Sequence, residues 1–505
     1  MKQLLMCLIS TMILINIVSS GVASPFAHIN DTKSNESTYV IITTRELARS
    51  VSLLQLWKQF LGFSTEIVTI PWISNNYEGV DVQEKIRNFL IDKYEDWQIS
   101  YVLFVGSREI IPMREVFTIP EEFEEGYGSL FTDFYYADLT GDWDADGDGL
   151  YGEYLHDSID FTADVHVGRI PCDTTDLVRA ACQRSISFES DKGSWKQNIL
   201  QLASIIYYEN LESFNHVYER SDGATLMEEC RTDLFEPEGY HCTRMYEEEG
   251  ISPSTYEYDY PLNSANVISE WVNGYAMVTM LGHANERSIT RFIWDHDDGD
   301  NIPEIGEGEL YYYDFLRRSD GDRIALEKPP IVFSSGCSQL HTSNNMGRSF
   351  IEDGAATAFI GSTDLGLYNI TKVWRDEHDG GCFSILYYFM KYFIVENQKC
   401  GEALSNAKSY FYEHFWFHNE TYYEWIWRCY STMLGYTLYG DPALNIIYER
   451  ESENTDHSMS STTELIPSSP KRQFKVHYWS LLEMIQNIKS YLVNPLHNKQ
   501  FHLLQ

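Results

Sequence analysis

Two reactive side chains stand at the ends of apolar runs. His283 directly follows AMVTMLG (Ala276 to Gly282), and Cys337 directly follows PIVFSSG (Pro330 to Gly336). Each run reads as a buried strand, and in a parallel sheet the carboxyl ends of neighbouring strands open on one crevice. A thiol and an imidazole placed there can act as a pair: the thiolate attacks a carbonyl carbon, and the imidazole protonates the leaving amine and then activates water. Taken singly, a cysteine in a Ser-Gly-rich loop is usually structural, and a histidine after a strand is usually a hydrogen-bonded surface group. Matching strand ends and the order His then Cys, roughly fifty residues apart, set this pair aside.

A second chemistry lies in DWDADGDGLYGE, Asp142 to Glu153. The segment fits D-x-[DN]-x-[DN]-G-x5-E at every specified position. Asp142, Asp144 and Asp146 would offer side-chain oxygens, Gly147 the sharp turn, Asp148 its backbone carbonyl, and Glu153 both carboxylate oxygens. Hard oxygens at that density select Ca2+, and without paired flanking helices the expected role is structural. The bland alternative is a solvated acidic turn. A second acidic cluster, DHDDGDN (Asp295 to Asn301), lacks the Glu at the twelfth position.

The chain has 505 residues, enough for two or three folded units. Lys and Arg total 37 against 75 Asp and Glu, a formal charge of -38 that repels nucleic acid and anionic membrane, so neither is expected as a partner. Lys2, the apolar run Leu4 to Val18 and small residues up to Ala23 read as a signal peptide over residues 1–23. No later segment is long and apolar enough to span a bilayer, so the expected location is secreted or cell-surface. Asn-x-Ser/Thr sites at Asn30, Asn35, Asn369 and Asn419 are compatible with export. Removing Cys7 leaves eight cysteines. If one is a nucleophile the other seven cannot all pair, and Cys172 with Cys182 and Cys230 with Cys242 are the short-range disulfide candidates.

The elements that must position these residues follow from apolar patterning. After a polar segment, 24–37, the run TYVIITT (Thr38 to Thr44) reads as a strand, followed by a helix through Leu47, Leu54, Trp57 and Phe60. Strand STEIVTI (Ser64 to Ile70), a helix from Val82 to Tyr94 and strand YVLFVGS (Tyr101 to Ser107) come next, with VHVGRIP (Val165 to Pro171) near the close of a first α/β subdomain, 38–190. The alternation restarts in a second subdomain, 191–450, with ILQLASII (Ile199 to Ile206), the two runs above and ATAFIGS (Ala356 to Ser362) as strands. Helical spacing falls at Gly223 to Cys230, Ala265 to Asn273, Met346 to Asp353, Phe383 to Val395 and Gly401 to Phe415, and YTLYGDPALNIIY (Tyr436 to Tyr448) reads as a loop and final strand. The expected class is α/β, two subdomains with mainly parallel sheets covered on both faces. A Ser/Thr-rich linker, 451–470, precedes a tail, 471–505, in which Trp479, Leu482, Ile485 and Ile488 have helical spacing. That tail could contact a partner or surface, or stay weakly ordered.

Six segments then occur in order: TDFYYADLTGDWDADGDGLYGE (Thr132 to Glu153), DVHVGRIP (Asp164 to Pro171), LGHANERS (Leu281 to Ser288), PPIVFSSGCSQL (Pro329 to Leu340), GAATAFIGST (Gly354 to Thr363) and LYGDPALNI (Leu438 to Ile446). Together they resemble the gingipain family of cysteine peptidases, over roughly Tyr39 to Tyr448. The resemblance implies a caspase-like second subdomain, peptide or protein substrates, Cys337 as nucleophile, His283 as general acid and base, and a thioester intermediate. It also implies an oxyanion hole from the backbone N–H groups of Ala284 and Cys337. The family usually has His-Gly, whereas this chain has His283-Ala284, and alanine resists the positive φ that glycine accepts. Asp133, Asp138 and Glu286 are each placed plausibly for a third catalytic group, and none is singled out. The expected protein is a secreted, calcium-stabilised cysteine endopeptidase. The alternatives are a non-catalytic calcium-binding surface protein that kept the fold, and a transpeptidase or maturase whose acyl-enzyme is resolved by an amine.

Overall fold

Runs of β-branched and aromatic residues build the centre of the molecule. The computed structural model describes residues 37–118, 129–213, 216–305, 308–366, 380–415 and 423–448, all within one unit that runs from Ser37 to Glu451. The expected signal peptide, the linker and the tail lie outside the described residues. Eleven strands are β1 (Thr38–Thr43), β2 (Ser64–Thr69), β3 (Ile99–Val105), β4 (His166–Ile170), β5 (Asn198–Ala203), β6 (His241–Tyr246), β7 (Tyr260–Pro261), β8 (Met277–Leu281), β9 (Ile331–Ser335), β10 (Ala358–Ser362) and β11 (Tyr436–Tyr439). They join in one sheet in the order β7-β6-β5-β8-β9-β10-β11-β4-β3-β1-β2. Every neighbouring pair is parallel except β10 with β11. The α/β class expected from the sequence is therefore present, and the strands of the two α/β stretches share a single sheet.

Alternation along the strands explains why both faces are covered. In β1, Val40 and Ile42 enter one core, while Tyr39 and Ile41 enter the other, because successive side chains leave opposite faces of a strand. One face is covered by helices that include Val82–Trp97, Gly381–Met390, Cys400–Phe415 and Tyr423–Gly435, represented in the core by Phe89, Ile385, Leu404 and Met433. The other is covered by Ser52–Phe60, Thr175–Ser190, Ser264–Trp271 and Met346–Asp353, through Leu54, Val178, Val267 and Phe350. Asp81 caps the helix Val82–Trp97 by accepting from Glu84 N.

The last strand holds the two halves together. β11 inserts between β10 and β4, and it meets β4 at the pair Tyr439 and Arg169. Arg169 is fully buried there. It donates to both carboxylate oxygens of Asp133 at 2.8 and 2.6 Å and to the carbonyls of Gly106 and Ile111 at 2.9 and 2.8 Å. Immediately after β11, Asp441 takes an ion pair from Lys58 at 2.7 Å and a hydrogen bond from the Tyr39 hydroxyl at 2.8 Å, and Lys58 also reaches Glu189 at 2.9 Å. Such buried ions hold only because each is paired.

Several expectations change. The strand of YTLYGDPALNIIY is its first part, Tyr436–Tyr439, and the rest forms no strand. Pro442 has no N–H to give a ladder, and Asp441 Oδ1 instead accepts from Ala443 N at 3.0 Å. Strands β6 and β7 and the helices Ile70–Asn76, Thr175–Ser190 and Tyr423–Gly435 were not marked by the patterning. All eight cysteines of the described residues are free, so neither Cys172 with Cys182 nor Cys230 with Cys242 is bridged, and the buried ones pack as small apolar groups.

Candidate active site and acidic loop

Register places the two reactive residues. β8 and β9 pair in parallel up to Leu281 opposite Ser335, so Gly282 and Gly336 leave the sheet side by side and His283 and Cys337 follow at the same level. The two exits touch: a Cβ built on Gly336 would lie 2.7 Å from the Ala284 Cβ and 3.0 Å from the Gly282 carbonyl oxygen. Only glycine fits between them. Just beyond the cysteine, Ser338 has φ 54, uncommon for a residue with a side chain. Its N–H donates to the Asp364 carbonyl at 2.7 Å, which holds this turn in place.

His283 is oriented by a backbone group. Its Nε2 lies 2.8 Å from the carbonyl oxygen of Ile206. A carbonyl can only accept, so Nε2 carries the proton and Nδ1 the lone pair. The rings of Tyr207, Phe292 and Tyr312 stand 5.4, 5.4 and 5.5 Å from the imidazole and nearly perpendicular to it. Burial among them holds the imidazole pKa below its ordinary value. Burial raises the Cys337 thiol above its ordinary value, and the Asp364 carboxylate adds to that. Both shifts favour the neutral forms, a thiol and an imidazole.

The alanine after the histidine is accommodated. His283–Ala284 forms a short antiparallel ladder with Ile289 and Thr290, and Asn285 N donates to Ser288 O at 3.0 Å at its turn. Bonded and non-bonded pairs alternate along such a ladder, so the Ala284 N–H points away from Ile289. Ala284 is not among the non-glycine residues with positive φ, and its Cβ carries no backbone strain.

The three acids plausible for a third group each have a partner of their own. Asp133 pairs with Arg169, Asp138 Oδ1 accepts from Gly141 N at 2.6 Å, and Glu286 lies 3.3 Å from Arg287. The Ile206 carbonyl takes the orienting position, and Tyr207, Phe292 and Tyr312 surround the imidazole. A backbone oxygen has no residue signature, and the aromatic residues come from distant stretches of chain. The aromatic pattern FIW and YYY flanking a hairpin was the available signal.

The acidic loop closes as a unit. Asp142 and Ser158 form an isolated antiparallel bridge, and Gly147 has φ +77, the sharp turn the motif requires. Carboxylate oxygens of Asp144, Asp146 and Asp148 lie within 4.8 Å of one another, as do ligand atoms of Asp146, Glu153 and His156. Asp142 stands in neither cluster, and its Oδ1 accepts from Asp144 N at 3.4 Å. Glu153 is 3% exposed, and its Oε2 is buried without a hydrogen-bond partner. Burial, then the Asp148 carboxylate, raises its pKa. A buried carboxylate oxygen facing other acids without a donor fits a hard cation. His156 lies three residues past the end of the Asp142 to Glu153 motif. In the second acidic cluster Asp297, Asp298 and Asp300 converge.

The sequence model of peptidase family C25 matches residues 32–447. The chain belongs to peptidase family C25. Among solved structures, the Arg-specific cysteine proteinase gingipain R is similar to it with a TM-score of 0.56 at 15% identity, over 83% of this chain and 80% of that one. A complex of the pro- and mature domains of RgpB from Porphyromonas gingivalis gives 0.55 at 15% identity, over 81% and 80%. A structure described as a protease gives 0.54 at 13% identity, over 86% and 83%. No curated protein sequence matches the chain. These likenesses establish a C25 fold, and the C25 family is one of cysteine peptidases acting on proteins. No helix of the described residues is long and apolar enough to cross a membrane.

Proposed function

We propose that this C25 protein is a secreted, calcium-stabilised cysteine endopeptidase in which Cys337 is the nucleophile and His283 its general base and acid. The observation that carries the reading is the level placement of the two residues at the exits of β8 and β9. With Nε2 committed to the Ile206 carbonyl, Nδ1 takes the thiol proton as sulfur attacks the scissile carbonyl. The N–H groups of Ala284 and Cys337 receive the oxyanion. Nδ1 then protonates the leaving amine, and a water activated by the same nitrogen hydrolyses the thioester. The ordinary φ of Ala284 favours a working hole over a non-catalytic protein. Cleavage profiling of a peptide library, with Cys337→Ala as control and calcium present or chelated, tests the reading. Cleavage that survives Cys337→Ala, or none in either condition, sinks it. An added amine nucleophile distinguishes hydrolysis from transfer in the products.

A neutral resting pair has a pH signature. Alkylation of Cys337 by iodoacetamide should climb steadily from about pH 5 to about pH 9, without the acid-side plateau of a thiolate beside an imidazolium. A plateau at low pH contradicts the neutral pair.

Gly336→Ala should drive the two strand exits apart. A displacement of about 1 Å at the reacting groups can cost on the order of 10²-fold in rate, so kcat/KM should fall by about that factor while the circular dichroism spectrum is retained.

In the acidic loop Asp144, Asp146, Asp148 and Glu153 would hold Ca2+, with Asp142 turning its carboxylate inward to complete the set. The ion's contribution is to stability. At about 100 times its Kd, calcium should raise the unfolding free energy by about 2.7 kcal/mol, and Glu153→Gln should remove most of that gain in thermal melts with and without chelator. An equal gain in the variant would place the ion elsewhere.

A further inference from the structure

The site holds a second thiol. Cys337 Sγ lies 3.9 Å from the carbonyl oxygen of Gly366, and Cys382 Sγ lies 3.4 Å from that same oxygen. Two sulfurs that share one acceptor can be no farther apart than those two distances together, and a second set of contacts ties the same segments. Ser335 Oγ, two residues before Cys337, is 3.4 Å from the Cys382 carbonyl, and Tyr436 hydroxyl is 3.5 Å from that Oγ. Cys382 is the second residue of helix Gly381–Met390. The preceding Gly380 and Gly381 have φ +86 and +66, a left-handed entry into the helix that glycine alone takes without strain. The two thiols differ in access. Cys337 is partly exposed, whereas Cys382 is 1% exposed and burial pushes its pKa up to about 12. An oxidant therefore meets Cys337 first.

We propose that Cys382 is a resolving cysteine for Cys337, so that peroxide converts the nucleophile to a reversible Cys337–Cys382 disulfide. This rests on the reading of Cys337 as the reactive thiol. In the first step the Cys337 sulfur attacks the O–O bond of hydrogen peroxide, giving the Cys337 sulfenic acid and one water. In the second, the Cys382 sulfur attacks the sulfenic sulfur. The S–S bond forms, the S–O bond breaks, and hydroxide leaves with the Cys382 proton as a second water. One peroxide takes two electrons from the two thiols. The bond locks the site in an inactive state and shields Cys337 from the irreversible sulfinic and sulfonic acids. A dithiol reductant reverses it by exchange.

The test treats the whole purified protein with about two equivalents of hydrogen peroxide per chain, enough to carry an unprotected thiol to the sulfinic acid, alkylates remaining thiols and maps peptides by mass spectrometry. The expected result is a loss of about 2 Da, a linked peptide pair containing Cys337 and Cys382, and cleavage that disappears and returns with dithiothreitol. In Cys382→Ala the same treatment should leave Cys337 as sulfinic acid, heavier by about 32 Da, with cleavage that dithiothreitol does not restore. The wild-type mapping does not depend on that variant folding. Cys337 sulfinic acid beside alkylated Cys382 in the wild type overturns the proposal. So does a link from Cys382 to Cys429 or to any other cysteine. A Cys337–Cys382 link in a protein without cleavage upholds the thiol pairing and defeats the peptidase reading, whereas Cys337-dependent cleavage with no link does the reverse.

Discussion

Cys337→Ala should lower kcat/KM on the best library peptide by at least about 10⁴-fold, because it removes the covalent step itself and not merely a contact. His283→Ala should fall nearly as far. In the proposed mechanism Nδ1 accepts the thiol proton because Nε2 faces the Ile206 carbonyl, and the thiol is held above its ordinary pKa by burial, so without that base little thiolate should form. The double variant should be little worse than either single one, since the residues act as a unit and their losses do not add. Both positions lie beyond the ends of β8 and β9, outside the ladder of the eleven-stranded sheet, so circular dichroism should report a retained fold in both variants. Additive losses would mean that the two residues work independently.

The second large effect is on stability. Lys58→Met should cost about 3–5 kcal/mol, the usual result of removing one partner from a buried ionic cluster. Lys58 and Asp441 have fully buried side chains and that of Glu189 is nearly so. Burial opposes the charge of Lys58, yet Asp441 and Glu189 together hold its pKa above the ordinary value. Burial already raises Glu189 despite Lys58, and without the cation it is pushed further. A carboxyl whose folded pKa lies above its unfolded one is favoured in the fold when protonated and penalised when ionised. The deficit of the variant should therefore shrink as pH falls through the carboxylate range and grow again toward neutrality. Urea unfolding at several pH values measures it, and a deficit that does not change with pH means that the carboxylates were not stranded.

What the sequence discloses depends on whether a feature is local. TYVIIT, IVFSS and their like disclose strands, because buried parallel strands need continuous apolar runs. The strand ends disclose His283 and Cys337, and the Asp spacing discloses the loop at Asp142 to Glu153. HCTRMY reads poorly as a strand because His241, Thr243 and Arg244 dilute its apolar character, yet it pairs with β5 along its full length. The orienter of His283 is a backbone oxygen, invisible to residue type. The rings of Tyr207 and Phe292 converge on His283 only through tertiary structure. The partnership of Cys337 with Cys382 is likewise created by Gly366, a residue with no chemistry of its own.

The place of β11 in the sheet has a consequence for biosynthesis. A ribosome delivers β4 and β10 long before Tyr436–Tyr439, the strand that both must pair with. Until then each half presents an open strand edge, and such edges invite pairing with other chains. Folding is complete only when a piece of chain near residue 440 arrives, so a nascent or truncated product ending before it consists of two unjoined sheets. Premature stops ahead of Tyr436 should yield aggregating protein even though both His283 and Cys337 have already been made.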